Sequence, residues 1–243
     1  MTLLAIRGVS KFFGGIRALS GVSFDVAAGE IVGIMGANGA GKTTLFSLIA
    51  GNERPSTGDI LFDEHPIVGL PPHAICRLGV ARTFQIVRPF GGLSVEANVA
   101  TAAMFGAERA PSPAAASERA SAVLALVGLE ARGGDLAETL TLSGQKRLEL
   151  ARAVATGGRL LLLDEVMAGL TPSEIAGMLE VVRRLHEEYG LTILIIEHVM
   201  RALMQLAGRI VVLHHGELIA EGTPAAIGAD PRVHECYFGG AAA

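Results

Sequence analysis

Eight residues in the first fifth of the chain constrain its fold more than any others. From Gly36 to Thr43 the sequence is GANGAGKT, an apolar stretch (31–35) precedes it, and a helix-like stretch (44–50) follows. Between a strand and a helix, such glycines let the main chain wrap around a polyphosphate with its N–H groups pointing inward. Lys42 is expected to reach the β- and γ-phosphates, and Thr43 to hold Mg²⁺ through its hydroxyl. The sequence therefore predicts a nucleotide site at Gly36, Asn38, Gly39, Ala40, Gly41, Lys42, Thr43 and Thr44, in preference to a simple glycine-rich turn.

Two acidic residues end a second apolar run. Residues 160–163 are all leucine, and Asp164 and Glu165 follow them. In an open α/β sheet, ligands bind beyond the carboxyl ends of the parallel strands. Asp164 fits the residue that orders Mg²⁺ and its waters, and Glu165 fits the base that polarises the water attacking the γ-phosphate. A strand that ends in two solvated acids is the alternative, and the phosphate loop upstream favours catalysis.

A third apolar run, 192–196, is predicted to be a buried strand, and Glu197 and His198 follow it. We predict that His198 hydrogen-bonds the γ-phosphate and keeps Glu165 and the attacking water in line. The alternative is an ordinary surface histidine, which is how we interpret the other six histidines of the chain.

Composition limits the classes of protein to which the chain can belong. Its 243 residues are half apolar and 18% charged, enough for one large core with a lobe. A net charge of −4 gives no general footprint for nucleic acid. We find neither a signal-peptide pattern nor an uncharged apolar stretch long enough to span a bilayer. We interpret Cys76 and Cys236 as free thiols of a reducing compartment, with a single bridge as the alternative.

The order of the segments predicts an α/β fold with a mainly parallel sheet. Alternating stretches at 3–9 and 22–26 indicate an N-terminal antiparallel β subdomain. Helical stretches at 97–104 and 117–127, joined by an exposed linker at 106–113, indicate an inserted helical subdomain. Shorter elements are predicted as strands at 209–213 and 217–220 and a helix at 224–228. We divide the single domain into a nucleotide-binding core with the β subdomain (1–88 and 153–221), a helical subdomain (89–152) and a C-terminal tail (222–243), which has a second turn at Asp230-Pro231 and a frayed Ala-rich end.

These residues resemble the ATP-binding cassette (ABC) ATPases over essentially the whole chain, and the resemblance implies a P-loop (RecA-like) core. Phe13 matches the aromatic residue that stacks on adenine, with Phe12 as second choice and a core phenylalanine as the alternative. Gln85, in Arg82-Thr83-Phe84-Gln85, matches the glutamine that senses Mg²⁺ and the attacking water. The resemblance therefore implies ATP and Mg²⁺ as the ligands.

The family's signature, LSGGQ, begins a helix and binds the γ-phosphate held by the opposite subunit, and this chain departs from it. Counted back without a gap from Leu150-Ala151-Arg152, residues 140–144 occupy the signature and Thr141 is the hydroxyl donor. Matched by letters, residues 142–145 fit with one glycine missing, and Ser143 is the donor. Thr141, Ser143 and Gly144 are all candidates.

Two further departures follow the acidic pair. Val166 stands where the family usually has proline, and Thr171 ends a dimer-contact loop that usually ends in aspartate. The hydrolytic set itself is complete.

The resemblance also implies partners. One cassette cannot place its own signature opposite its own phosphate loop, so a second ABC ATPase subunit is required, as a homodimer or a heterodimer. The run 82–85, the stretch 88–99, the stretch 164–172 and the C-terminal pattern from Glu221 resemble the subgroup for uptake of branched-chain (hydrophobic) amino acids. The chain would then lie at the cytoplasmic face of the inner membrane, held by permease subunits and served indirectly by a periplasmic solute-binding protein. The alternatives are a lipopolysaccharide-exporter ATPase and a soluble, non-transport ABC ATPase.

Overall fold

The computed structural model describes residues 1–84 and 87–238, and it has the predicted α/β fold. The chain divides into two compact units, Met1–Pro72 with Leu194–Ala243, and His73–Ile193. Within the described residues, no helix combines the length and the apolar character needed to cross a membrane.

The first unit begins with a four-stranded antiparallel sheet in the order β2-β1-β4-β5. Its strands are β1 (Thr2–Phe13), β2 (Ile16–Ala27), β4 (Thr57–Phe62) and β5 (His65–Pro66). The two strands predicted at 3–9 and 22–26 extend further than their alternating patterns. The hairpin continues through several register shifts between β1 and β2, which interrupt the alternation without ending the pairing.

The strand that leads into the phosphate loop belongs to a second set of strands in this unit. Strand β3 (Ile31–Met35) pairs in parallel with β9 (Arg209–His214), which pairs antiparallel with β10 (Glu217–Gly222). All five residues of β3 are buried, as expected for an uninterrupted apolar run covered on both faces. The helices of this unit are α1 (Lys42–Ile49), α7 (Met200–Leu206), α8 (Pro224–Gly228) and α9 (Pro231–Phe238).

The C-terminal segment contains a helix that we did not predict, which begins at the predicted turn at Asp230-Pro231. Pro231 begins α9, and Asp230 accepts hydrogen bonds from the main-chain N–H groups of Val233 and His234 and of Arg232. A proline at the start of a helix costs nothing, because its missing N–H would have no partner there. Residues 239–243 of the predicted tail lie outside the described residues.

The second unit is mostly helical. Its elements are α2 (Pro72–Leu78), β6 (Val80–Arg82), α3 (Val95–Phe105), α4 (Pro113–Val127), α5 (Leu142–Ala155), β7 (Leu160–Asp164) and α6 (Pro172–Tyr189). Helices α3, α4 and α5 pack on one another, and β6 pairs in parallel with β7. Two 3-10 turns lie between α4 and α5, and β8 (Thr192–Ile196) crosses the boundary between the two units in sequence.

The linker predicted at 106–113 is not exposed throughout. Gly106 is buried, and a Cβ there would lie 2.1 Å from the carbonyl oxygen of Thr156. The Glu108 N–H donates to the same carbonyl, at 3.2 Å. At the other end, Ser112 caps α4 and Pro113 is its first residue. The glycine that we interpreted as a loop signal is therefore a close-approach site against the end of α5.

This close approach makes Gly106→Ala a test of the packing. The added methyl group has to displace main chain, so we expect a loss of about 1–3 kcal/mol in the free energy of unfolding, measured by denaturant titration. Gly134→Ala is the matched control, because nothing lies within 4 Å of a Cβ at that position. Equal midpoints for the two variants would contradict the packing described.

Candidate functional site

The phosphate loop of the first unit depends on two glycines for its shape. A Cβ on Gly36 would lie 2.5 Å from the carbonyl oxygen of Leu213. Gly41 has φ +101°, and a Cβ there would lie 2.6 Å from the carbonyl oxygen of Ala18. Side chains at either position would collide with main chain that belongs to neighbouring strands. These glycines therefore let the loop approach the main chain of the neighbouring strands closely at Gly36 and Gly41, while residues 37–39 between them are exposed.

Lys42 brings a cation to this loop. Its side chain is largely buried, and its Nζ donates to the carbonyl oxygens of Gly36 (2.6 Å) and Ala37 (3.0 Å). The N-cap of α1 is Gly41, which has no side chain to cap the first-turn N–H groups. Asn38, Gly39 and Thr43 are exposed, Thr44 is half-buried and Ala40 is buried. An ammonium and a helix N-terminus therefore share one loop, a combination that suits a polyphosphate.

The tip of the β1–β2 hairpin carries the candidates for adenine stacking. Phe12 and Phe13 are 46% and 44% exposed, so neither is the core phenylalanine of the alternative interpretation. The Nζ of Lys11 lies 4.7 Å from the centroid of the Phe13 ring. Both phenylalanine side chains are available for contact with a ligand.

His198, also in this unit, is the second residue after the end of β8 and is exposed.

The acidic pair belongs to the second unit. Asp164 is the last residue of β7 and is almost completely buried. Its Oδ2 accepts a hydrogen bond from Nη2 of Arg82 at 2.8 Å, and its N–H donates to the Thr83 hydroxyl at 3.1 Å. Within residues 1–84 and 87–238, its other carboxylate oxygen, Oδ1, is buried without a hydrogen-bond partner. A buried oxygen of this kind is costly unless something binds it, and a divalent cation is a suitable partner.

Glu165 follows in an unusual backbone conformation. Its φ is +52°, in the left-handed region that residues other than glycine rarely adopt. Its carbonyl oxygen accepts hydrogen bonds from the Ala168 N–H at 3.2 Å and from Nζ of Lys146 at 2.9 Å. A tight turn and a buried lysine thus hold the main chain at the position of the predicted base.

The signature region favours one of the two alignments. Helix α5 begins at Leu142, and Thr141 is its N-cap, with its hydroxyl accepting from the Gly144 N–H at 3.3 Å. Ser143 already lies inside the first turn and is only 9% exposed, whereas Thr141 is exposed. The alignment without a gap takes Thr141 as the hydroxyl donor, and Thr141 is the residue at the start of the helix.

The two residues that depart from the family pattern after the acidic pair lie in different surroundings. Val166 is buried. Thr171 is the N-cap of α6 and forms a capping box with Glu174: the Thr171 N–H donates to Oε2 of Glu174 at 2.8 Å, and its hydroxyl accepts from the Glu174 N–H at 3.4 Å. Threonine therefore keeps the helix start that an aspartate would also cap.

Sequence reasoning gave no role to three charged residues around the acidic pair. They are Arg82, Lys146 and Glu149, of which the first pairs with Asp164. Glu149 accepts a hydrogen bond from the Phe84 N–H, and burial raises the pKa of its carboxyl to about 7 against the opposing effect of that N–H and of Lys146. The available signal was a glutamate, Glu149, that stands between the apolar residues Leu148 and Leu150 of α5. Gln85, the predicted Mg²⁺ and water sensor, lies outside the described residues.

Comparison with protein families finds two matches. Residues 19–168 match the family described as ABC transporter. Residues 217–243 match the family described as branched-chain amino acid ATP-binding cassette transporter.

The chain is also similar to individual proteins along its whole length. It is 38% identical to the high-affinity branched-chain amino acid transport ATP-binding protein LivG of Salmonella typhimurium, covering 98% of both chains. Among solved structures, the ADP conformation of an ATP-binding cassette of an ABC transporter superposes with a TM-score of 0.88 at 28% identity, covering 98% of this chain and 99% of the other. A dimeric post-hydrolysis state of another cassette, bound to ADP and Pi, gives 0.81 at 25% identity, covering 91% and 99%.

Proposed function

Because the chain belongs to the ABC transporter ATP-binding family, we propose that it is the ATP-hydrolysing subunit of an importer for branched-chain or other hydrophobic amino acids. The phosphate loop, with the Lys42 ammonium held against its main chain, is the observation that carries ATP binding. The similarity to LivG and the match of residues 217–243 support the amino-acid part of the proposal.

We assign the binding of ATP to residues of the first unit. The main chain of the phosphate loop and the start of α1 hold the phosphates, and Lys42 neutralises charge on the β- and γ-phosphates. Phe13 stacks on adenine, with Phe12 beside it as the second exposed aromatic. His198 hydrogen-bonds the γ-phosphate.

Mg²⁺ is proposed to arrive with the nucleotide. Within the described part of the chain, no three histidine, cysteine, aspartate or glutamate residues form a group that could hold a metal ion. Mg²⁺ needs no such group, since one or two carboxylates together with substrate phosphates and waters suffice. The buried, unpartnered Oδ1 of Asp164 fits this chemistry, and Thr43 and Gln85 are the other proposed ligands. When bound, the ion neutralises phosphate charge and orients the γ-phosphate.

Glu165 is the proposed general base. Its carboxylate accepts the proton of the water that attacks the γ-phosphate, while Gln85 and His198 orient that water and the phosphate. Arg82 holds Asp164 through a buried, charge-assisted hydrogen bond, and this contact fixes the strand end from which Glu165 follows.

A second cassette completes the proposed site. The first turn of α5, with Thr141, Ser143 and Gly144, would bind the γ-phosphate held by the partner, in a homodimer or with a related subunit. The dimeric state of a similar cassette with ADP and Pi supports this arrangement. We keep the boundaries of the helical subdomain at 89–152 and of the core at 1–88 and 153–221 as proposals.

Comparison of Thr141→Ala with Ser143→Ala tests the signature. Thr141 caps α5 and is exposed, so its loss removes the γ-phosphate donor and about 1 kcal/mol of capping. We expect steady-state ATP hydrolysis to fall more in Thr141→Ala than in Ser143→Ala. A larger loss in Ser143→Ala would contradict the alignment without a gap. Melting temperatures recorded in parallel separate the capping loss from the loss of the donor.

The remaining partners follow from the transport proposal. The chain would dock peripherally on permease subunits at the cytoplasmic face of the inner membrane. A periplasmic solute-binding protein would deliver the amino acid to the permeases without touching this chain.

The direct test of the proposed activity is phosphate release from ATP by the purified full chain. We expect Mg²⁺-dependent hydrolysis that is lost on chelation and that rises more than linearly with protein concentration, because two chains form each site. Absence of hydrolysis at any protein concentration, in the presence and absence of permeases, would overturn the proposal.

A further inference from the structure

Two buried ionisable residues of α5 have no part in the nucleotide-binding, metal-binding and general-base roles assigned above. Lys146 and Glu149 lie about one helical turn apart, and their side chains are 4% and 8% exposed. Leu148 and Leu150, on either side of Glu149, are fully buried apolar residues. Burying a leucine is favourable, whereas burying a lysine or a carboxylate is costly, so the presence of Lys146 and Glu149 needs an explanation other than packing.

Each of the two side chains makes a hydrogen bond to main chain. Nζ of Lys146 donates to the carbonyl oxygen of Glu165 at 2.9 Å. Oε1 of Glu149 accepts from the Phe84 N–H at 2.6 Å, although the Phe84 side chain itself is exposed. One partner is the proposed base in its left-handed conformation, and the other is the residue immediately before Gln85.

We infer that Lys146 and Glu149 are positioning residues, which fix the main chain of the two segments that carry the hydrolytic Glu165 and Gln85. Lys146 stabilises a backbone conformation at Glu165 that is unfavourable by itself. Glu149 fixes the N–H of Phe84, the residue that precedes Gln85 in the sequence. The inference rests on the proposed ATPase function and adds to it two residues that touch neither nucleotide nor water.

The position of the pair on α5 gives this arrangement a further consequence. The same helix begins at the Thr141 cap, the proposed contact with the nucleotide of the partner subunit. A displacement of α5 on nucleotide binding would therefore be transmitted through two hydrogen bonds to the main chain at Glu165 and Phe84 of its own chain.

Arg147, between the two, provides a matched control. Its Nη1 donates to the carbonyl oxygen of Val127 at 2.8 Å, at the end of α4. It thus makes the same kind of contact, from the same helix, to a segment without a predicted hydrolytic group. General loosening of α5 would appear in Arg147→Met as well as in the variants of the pair.

The experiment measures kcat, KM and equilibrium ATP affinity for the full chain and for four variants: Lys146→Met, Glu149→Leu, Glu149→Gln and Arg147→Met. We expect Lys146→Met and Glu149→Leu each to lower kcat about ten- to a hundredfold, as misplaced catalytic groups do, with ATP affinity within about twofold. Glu149→Gln keeps an oxygen acceptor for the Phe84 N–H and should restore most of the rate. Arg147→Met should keep its kcat even if its melting temperature falls.

A double-mutant cycle provides the readout that a merely structural role would not change. If Glu149 acts through Gln85, then Glu149→Leu should cost much less in a Gln85→Ala background than in the native chain. Wild-type kcat in Lys146→Met and Glu149→Leu, or losses that match the Arg147→Met control, would overturn the inference. If Glu149→Leu does not fold, Lys146→Met alone decides by the same criterion. Failure of the proposed function itself is distinct, since the native chain would then show no hydrolysis.

Discussion

Glu165→Gln is expected to bind ATP with nearly native affinity and to lose about a thousandfold in turnover. A positioned general base contributes about 10²–10⁴ to rate, and the amide that replaces it cannot accept the proton of the attacking water. The substitution preserves size, and the main-chain contacts to Lys146 and Ala168 do not involve the side chain, so the fold should be unaffected.

The same variant should accumulate as an ATP-bound dimer, because closure persists when hydrolysis is blocked. Size-exclusion chromatography with and without ATP measures this, and Glu165→Asp controls for loss of the carboxylate as opposed to its displacement. Hydrolysis near the native rate in Glu165→Gln would remove Glu165 from its role.

Lys42→Ala is expected to act on binding itself, with a loss of about a hundredfold in ATP affinity by calorimetry. Removing one partner of a desolvated charge pair costs about 2–5 kcal/mol, and Lys42 is the only residue that we assign as a cation to the β- and γ-phosphates. Arg17→Ala, which removes an exposed cation of the same unit that pairs with Glu217, is the control and should bind normally. Unchanged affinity in Lys42→Ala would contradict the phosphate-loop assignment.

The sequence was sufficient for those parts of the fold whose signals are local. The strand at 31–35, the strand at 192–196 and the helix at 224–228 have the boundaries predicted, because buried apolar runs and a Thr-Pro helix start are complete within a few residues. The family and the phosphate loop were recognised for the same reason, since GANGAGKT is a contiguous motif.

What escaped prediction depends on residues far apart in the chain. The Arg82–Asp164 ion pair joins positions 82 residues apart, and the bond from Phe84 to Glu149 joins positions 65 residues apart. A single sequence contains no periodicity that matches such partners. The close approach of Gly106 to Thr156 was missed likewise, because glycine in a linker is ordinarily a turn signal. The start of α5 at the Thr141 cap was not predicted either, because the letters alone placed the signature in two ways.

Uptake by a reconstituted complex tests the central claim most directly. The chain, assembled in vesicles with its permease subunits and solute-binding protein, is given ATP inside and radiolabelled leucine, isoleucine or valine outside. We predict accumulation that requires internal ATP and that the Glu165→Gln variant abolishes. ATP hydrolysis by the intact complex without accumulation of any branched-chain or other hydrophobic amino acid would contradict the account.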